Sequence, residues 1–180
     1  SQFMEFWAWD TESLDLLSAH IDTQETLPES LLKALLDARF FQSGMQSLRQ
    51  IEFALFDLSI HKAAPALKAD QIQATLNEIR AQYAVLETTS YNRFQHSFSH
   101  IFAGGYAAGY YSYKWAEVLA SDAFDRFENE GIFNTATGKE FRQFILAVGG
   151  KDTALDAFIN FRGREPKIDA LLRHQGWTNR

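Results

Sequence analysis

The chain has 180 residues, 46% of them hydrophobic and 22% charged, with a formal net charge of −6 and no cysteine. That balance gives ample core material and excludes a disordered chain, a disulfide framework or thiolate metal site, and a nucleic-acid or anionic-membrane surface, for which the few basic residues of FRGREPK do not suffice. No run of about 18 apolar residues reads as a membrane span, and no signal peptide is visible, so a single domain in the cytoplasm is expected.

The chain opens SQFMEFWAWD, amphipathic at once. Natural N-termini are more often polar and frayed, so a piece of a longer protein is expected. From Phe3 to Leu17 apolar residues recur at helical spacing. Thr26-Leu27-Pro28-Glu29 is a helix start, with proline suited to the first turn. A long helical pattern follows to about His61, with Gly44 as a break and Leu31, Leu35, Leu48, Ile51, Leu55 and Leu58 as an apolar stripe. Pro65 punctuates the next connection. Asp70 then caps a helix to about Val85 that carries Ile72, Leu76, Ile79 and Tyr83 on one face.

The polar run ETTSYNR, residues 87–93, reads as a loop. Gly104 and Gly105 form a second break before a helix from about Ala107 to Asn129, which Gly131 ends. Thr137 and Glu140 match a capping box. Gly149 and Gly150 end that helix, Asp152 caps the next, and a last short helix spans Pro166 to His174. Sustained period-2 alternation and internal repeats are absent from the sequence. The fold class is all-α, with about seven to nine helices.

Several residues could carry chemistry. His96 and His100 stand at i and i+4 in HSFSH, a spacing that lets a helix chelate a metal. Position 97 is serine where HExxH has its general base, so this is not that motif, and two independent histidines fit as well. In HIFAGGYAAGYYSYKW, residues 100–115, Tyr106, Tyr110 and Tyr113 fall on one face of a helix, with Tyr111 turned away. Such a stripe fits an aromatic core. It also fits a row of neutral phenols able to donate to a developing oxyanion. Gly104 and Gly105 can take positive φ, admit a ligand closely or hinge a lid, or simply form an interhelical turn.

The remaining candidates are weaker. Glu117 follows Tyr113 by one turn and could accept from its hydroxyl. Arg162 and Arg164 could clamp a carboxylate or tie helix ends together. Glu5 and Asp10 could support a site or cap a helix. His20, His61 and His174 have no convergent partners in the sequence and are expected at the surface.

The run FSHIFAGGYAAGYYSYKWAEVLASDAFDRFENEGIFN, with TGKEFRQFILAVGG and FRGREPKIDALLRHQG, resembles the C-terminal end of the zinc metallopeptidase family that holds oligopeptidase A, thimet oligopeptidase and peptidyl-dipeptidase Dcp. The opening SQFMEFWAW is similar to the family stretch just after the third zinc ligand. The resemblance therefore runs from end to end and is most specific over His100 to Trp115.

It implies a helical, bowl- or channel-shaped enzyme that hydrolyses short peptides with a deep catalytic zinc. The metal is held by HExxH and a glutamate a few residues before Ser1 and Gln2. All three ligands and the general base would then lie outside this chain, which alone is expected to hold no zinc and cut no peptide.

By motif position, His100, Tyr106 and Tyr113 match residues that stabilise the transition state. Gly104 and Gly105 match the flexible loop bordering substrate. Tyr110 is grouped with them as substrate-binding, although its place also suits packing, the role left to Tyr111. Glu5 falls on a family position near the zinc helices. The implied partners are short peptides and the remainder of the parent chain, with self-association through the surface that remainder would cover. The rival reading is a non-catalytic helical module binding a peptide or partner through its aromatic groove.

Overall fold

The computed structural model describes residues 1–63 and 67–178; Pro65 lies outside the described residues. Among the described residues the secondary structure is helix and turn with no strand, and eight α-helices reach six residues or more. The all-α expectation is met. Where the helices begin and end follows from local hydrogen-bond competition.

Asp10 breaks the first helical pattern: its carboxylate accepts from the Ser13 amide at 2.9 Å and starts the Thr11–Leu17 helix. Pro28 sits at the cap of the Glu29–Arg39 helix, as its start signal implies. The next break falls at Gln42, which is left-handed with φ of 55°, two residues before Gly44. The Ser43–Lys62 helix follows. Lys68, not Asp70, occupies the cap of the Ala69–Tyr83 helix, because Gln71 reaches back to accept from the Lys68 amide at 2.8 Å.

Asn134 preempts the capping box expected at Thr137. Its side chain accepts from the amides of Ala136 and Thr137, so the helix starts at Thr135. The Thr137 hydroxyl turns instead to Glu130 at 2.5 Å. Thr153 rather than Asp152 caps the Ala154–Arg162 helix, accepting from the Asp156 amide at 3.1 Å. The final helix is Asp169–His174.

The chain divides into two compact units, one formed by 1–41 with 116–180 and the other by 42–115. The first has a phenylalanine core of Phe6, Phe124, Phe127, Phe158 and Phe161. Phe6 stacks on Phe124 with centroids 4.9 Å apart, and Phe3 on Phe141 at 4.1 Å. Burying each such ring contributes roughly 1.5–3 kcal/mol.

Beside this core, Arg164 grips buried Asp122 with two bonds of 2.7 Å, and Arg162 bridges Asp122 to Asp125. The Lys167 amide adds a third donor type to Asp122. Of the two readings of these arginines, the tie within the fold is the one realised. Burial alone would raise the Asp122 carboxyl, but Arg164, the Lys167 amide and Arg162 hold it below the usual aspartate value.

The second unit packs the Ser43–Lys62 and Ala69–Tyr83 helices around Phe53, Phe56, Leu76, Ile79, Phe98, Ile101 and Tyr110. Glu52 and Arg80 form a largely buried ion pair at 2.8 Å. The Ser43–Lys62 helix buries a different face from the stripe read in the sequence. Phe53 and Phe56 go inward, whereas Leu48, Ile51 and Leu58 stay exposed, as do Leu31 and Leu35 in the other unit.

Candidate functional site

The candidate site lies in the second unit and is built around a turn. Phe94–His96 is a short 3-10 helix, and Ser99–Phe102 a single α-turn. His96 and His100 therefore sit on separate elements and do not share a helix face. Among the described residues no cluster of three or more His, Asp or Glu side chains could hold a metal ion.

After Phe102 the backbone folds back on itself. The amides of Ala103 and Gly104 both return to the Ser99 carbonyl, at 2.7 and 2.8 Å, and the Tyr106 amide returns to His100 at 3.0 Å. A Cβ on Gly104 would stand 2.9 Å from the His100 carbonyl oxygen, so only glycine fits this closure. Gly105 has φ of +78°, a conformation open to glycine at little cost.

The helix expected from Ala107 starts only at Ser112. Ala108 is left-handed, with φ of +54°. The amides of Ala108 and Tyr110 bond to the two oxygens of Asp57 at 2.8 and 2.9 Å instead of to helical carbonyls. Tyr106 and Tyr110 are therefore on a turn and Tyr113 on a helix.

The turn still brings the predicted residues together. The Tyr106 and Tyr113 rings lie 5.1 Å apart at 31°. The His100 ring is 6.2 Å from Tyr106, 6.1 Å from Tyr113 and 5.7 Å from Tyr110, centroid to centroid. His100 and Tyr106 are exposed.

The two phenols share a hydrogen bond, which is the main reason that the Tyr113 hydroxyl is pushed up to about 12, with desolvation adding to it. Of the two, Tyr106 is the more open, 38% exposed.

Tyr110 differs from its neighbours. It is buried, and its hydroxyl donates to Gln50 Oε1 at 2.9 Å. Burial raises its ionisation above the ordinary tyrosine value, against a smaller opposing pull from Arg49. Placed this way, Tyr110 backs His100 and Tyr113 from beneath. Glu5 stands exposed at the end of the Gln2–Glu5 helix, in the other unit. Glu117 accepts from Gln175 at 2.6 Å.

His20 and His61 lie at the surface as expected, but His61 turns its ring inward to Asp57. His174 does not lie there. Its side chain is only 10% exposed, bonded to Glu128 at 3.0 Å and packed on Phe6 at 4.7 Å. It helps line a cleft of about 420 Å³ with Phe6, Trp9, Arg39 and Phe124. Asp57 and Gln50 had no local sequence signal beyond the spacing of Asp57 and His61 at i and i+4.

With this geometry in place, similarity to known proteins acquires a structural address. The model of peptidase family M3 matches residues 1–177. The chain is similar to oligopeptidase A of Haemophilus influenzae, 54% identical over 179 residues, covering 99% of this chain and 26% of that protein. It is similar to oligopeptidase A of Escherichia coli, 52% identical over 176 residues, and to the probable cytosolic oligopeptidase A of Arabidopsis thaliana, 48% over 180; in both, 98% of this chain and 26% of the relative are covered. The chain thus spans about a quarter of the length of the relatives it matches.

Proposed function

The chain belongs to peptidase family M3, and from that premise we propose that it is the C-terminal catalytic-domain part of a zinc-dependent oligopeptidase that hydrolyses short peptides in the cytoplasm. Its contribution is the His-Gly-Gly-Tyr loop, with His100, Tyr106 and Tyr113 facing the reacting peptide bond and Gly104 and Gly105 bordering the substrate. The metal would be held by residues outside this chain. What the chain itself supplies is positioning and hydrogen donation.

The observation that carries this reading is the phenol pair, exposed Tyr106 against half-buried Tyr113, beside an exposed histidine. The bond between the two phenols leaves one O–H of the pair for substrate, and a hydroxyl that itself accepts a hydrogen bond is the better donor. Such a donor, fixed before reaction, stabilises negative charge as it develops on a carbonyl oxygen more than it stabilises the uncharged substrate. His100, within ring contact of both phenols, is placed to orient the same oxygen or the adjacent peptide group. A core of leucines would need no hydroxyls, and a buried pair would offer nothing to substrate.

The test is expression of the complete reading frame that contains this chain, followed by metal analysis and assays on short peptides. The complete protein should hold zinc and cut peptides, and the isolated chain should do neither. A complete protein without bound zinc or peptide hydrolysis would overturn the reading in favour of a non-catalytic helical module.

A further inference from the structure

The turn that carries the phenols is not held by its own backbone bonds alone. Its Ala108 is left-handed, which the alanine Cβ makes unfavourable, and the amides of Ala108 and Tyr110 have no helical acceptor. Both are taken by Asp57, a residue with 0% of its side chain exposed, in the Ser43–Lys62 helix. Asp57 Oδ1 accepts from Ala108 at 2.8 Å and Oδ2 from Tyr110 at 2.9 Å.

The same carboxylate has a third partner. His61 Nδ1 lies 2.8 Å from Oδ1 and 2.8 Å from the Asp57 backbone oxygen. Both neighbours are acceptors, so Nδ1 must carry the ring proton and share it between them. Three donors surround a carboxylate that water does not reach, which is what a buried charge requires.

The two pinned amides lie between Tyr106 and Tyr113 in the chain. We propose that Asp57 is a positioning residue for the reaction: by fixing the turn between the two tyrosines it sets the registration of the Tyr106 hydroxyl on Tyr113 and on the substrate. His61 holds the carboxylate in the orientation that does this. The inference rests on the reading of Tyr106 as the donor to a developing oxyanion. A purely structural anchor would cost stability without acting through Tyr106.

The experiment uses the complete protein, with Asp57→Asn measured alone and in a Tyr106→Phe background. Asparagine keeps the shape but can accept with only one of its two terminal atoms. Alone, it should lower kcat about 10- to 100-fold, the scale of a misplacement near 1 Å, with KM and zinc content nearly unchanged. In the Tyr106→Phe background it should change kcat less than about twofold, because residues acting through one another are not additive. An equal fall in both backgrounds, or no fall in either, overturns the inference.

A second readout is independent of turnover. An ultraviolet titration of Asp57→Asn should show the Tyr113 ionisation descending from about 12 as the phenol pair parts. An unshifted titration overturns the positioning role whatever the kinetics. If Tyr106→Phe alone leaves kcat unchanged, the oxyanion reading fails, and this titration still decides whether Asp57 sets the turn. Should Asp57→Asn not fold, His61→Phe decides instead: a fall in kcat of about three- to tenfold confined to the Tyr106 background supports the role, and an unchanged kcat overturns it.

Discussion

Tyr113 hydrogen-bonds to Tyr106 across a non-helical turn, and their rings stand 5.1 Å apart. The bond stabilises the neutral Tyr113 phenol, so its ionisation rises from the ordinary value near 10 to about 12. A raised value means a contribution fully present below pH of about 10 and lost as pH climbs through about 12. Tyr106→Phe removes the hydroxyl that Tyr113 bonds to. Ultraviolet titration of that variant should show one tyrosine returning towards the ordinary range, and an unchanged curve would show that the bond is not what raises it.

In the complete protein the same pair should be read out as turnover. Tyr106→Phe and Tyr113→Phe are each expected to lower kcat about 100- to 1000-fold, the usual loss for one oxyanion donor, with KM and helical circular dichroism nearly unchanged. Loss of helical signal in either variant would assign that hydroxyl to the fold instead.

Gly104→Ala tests the closure of the loop. The added methyl group would meet the His100 carbonyl at 2.9 Å, so the backbone must open and carry Tyr106 away from His100. The variant should fold, since the contact lies on an exposed turn, yet lose at least about 10-fold in kcat. Wild-type turnover would show that the loop tolerates the displacement.

Asp122 anchors the other unit. Asp122→Ala leaves Arg162, a side chain only 9% exposed, with Asp125 alone and takes from Arg164 the carboxylate it grips, and should destabilise that unit by about 3 kcal/mol in thermal or denaturant unfolding. The sign with pH is fixed by a carboxyl held below its ordinary value. Its contribution is present above pH of about 4 and lost as pH falls through the lowered value. In Asp122→Asn that part of the acid sensitivity should vanish from the unfolding profile.

The exposed leucines give a prediction about association. Leu48, Ile51 and Leu58 line one face of the Ser43–Lys62 helix, each between 37% and 40% exposed. A partly exposed apolar face of this kind seeks a partner, so the isolated chain should self-associate in sedimentation, and Leu48→Gln with Ile51→Gln should shift it towards monomer. A clean monomer before substitution would count against this.

The helical class was legible because period 3.6 and the signals at Pro28 and Gly131 are local. The caps were displaced wherever a neighbouring side chain competed better: Gln71 at Lys68, Asn134 ahead of Thr137, Thr153 beside Asp152. The apolar period gave a real stripe on the Ser43–Lys62 helix but could not say which of two faces the phenylalanines would claim. At the site, the aromatic and glycine run pointed to the right residues in the wrong conformation. What replaces the helix there is a carboxylate 51 and 53 positions away from the amides that it holds. No local pattern announces such a partner.

The division of the chain has a consequence for its synthesis. Residues 42–115 form one uninterrupted unit, whereas the other is split into 1–41 and 116–180. On the ribosome the uninterrupted unit can close as soon as it emerges. Residues 1–41, whose Phe3, Phe6 and Trp7 pack on Phe124 and Phe127, must wait for a stretch translated after them. Over that interval those three aromatic side chains lack the rings that cover them.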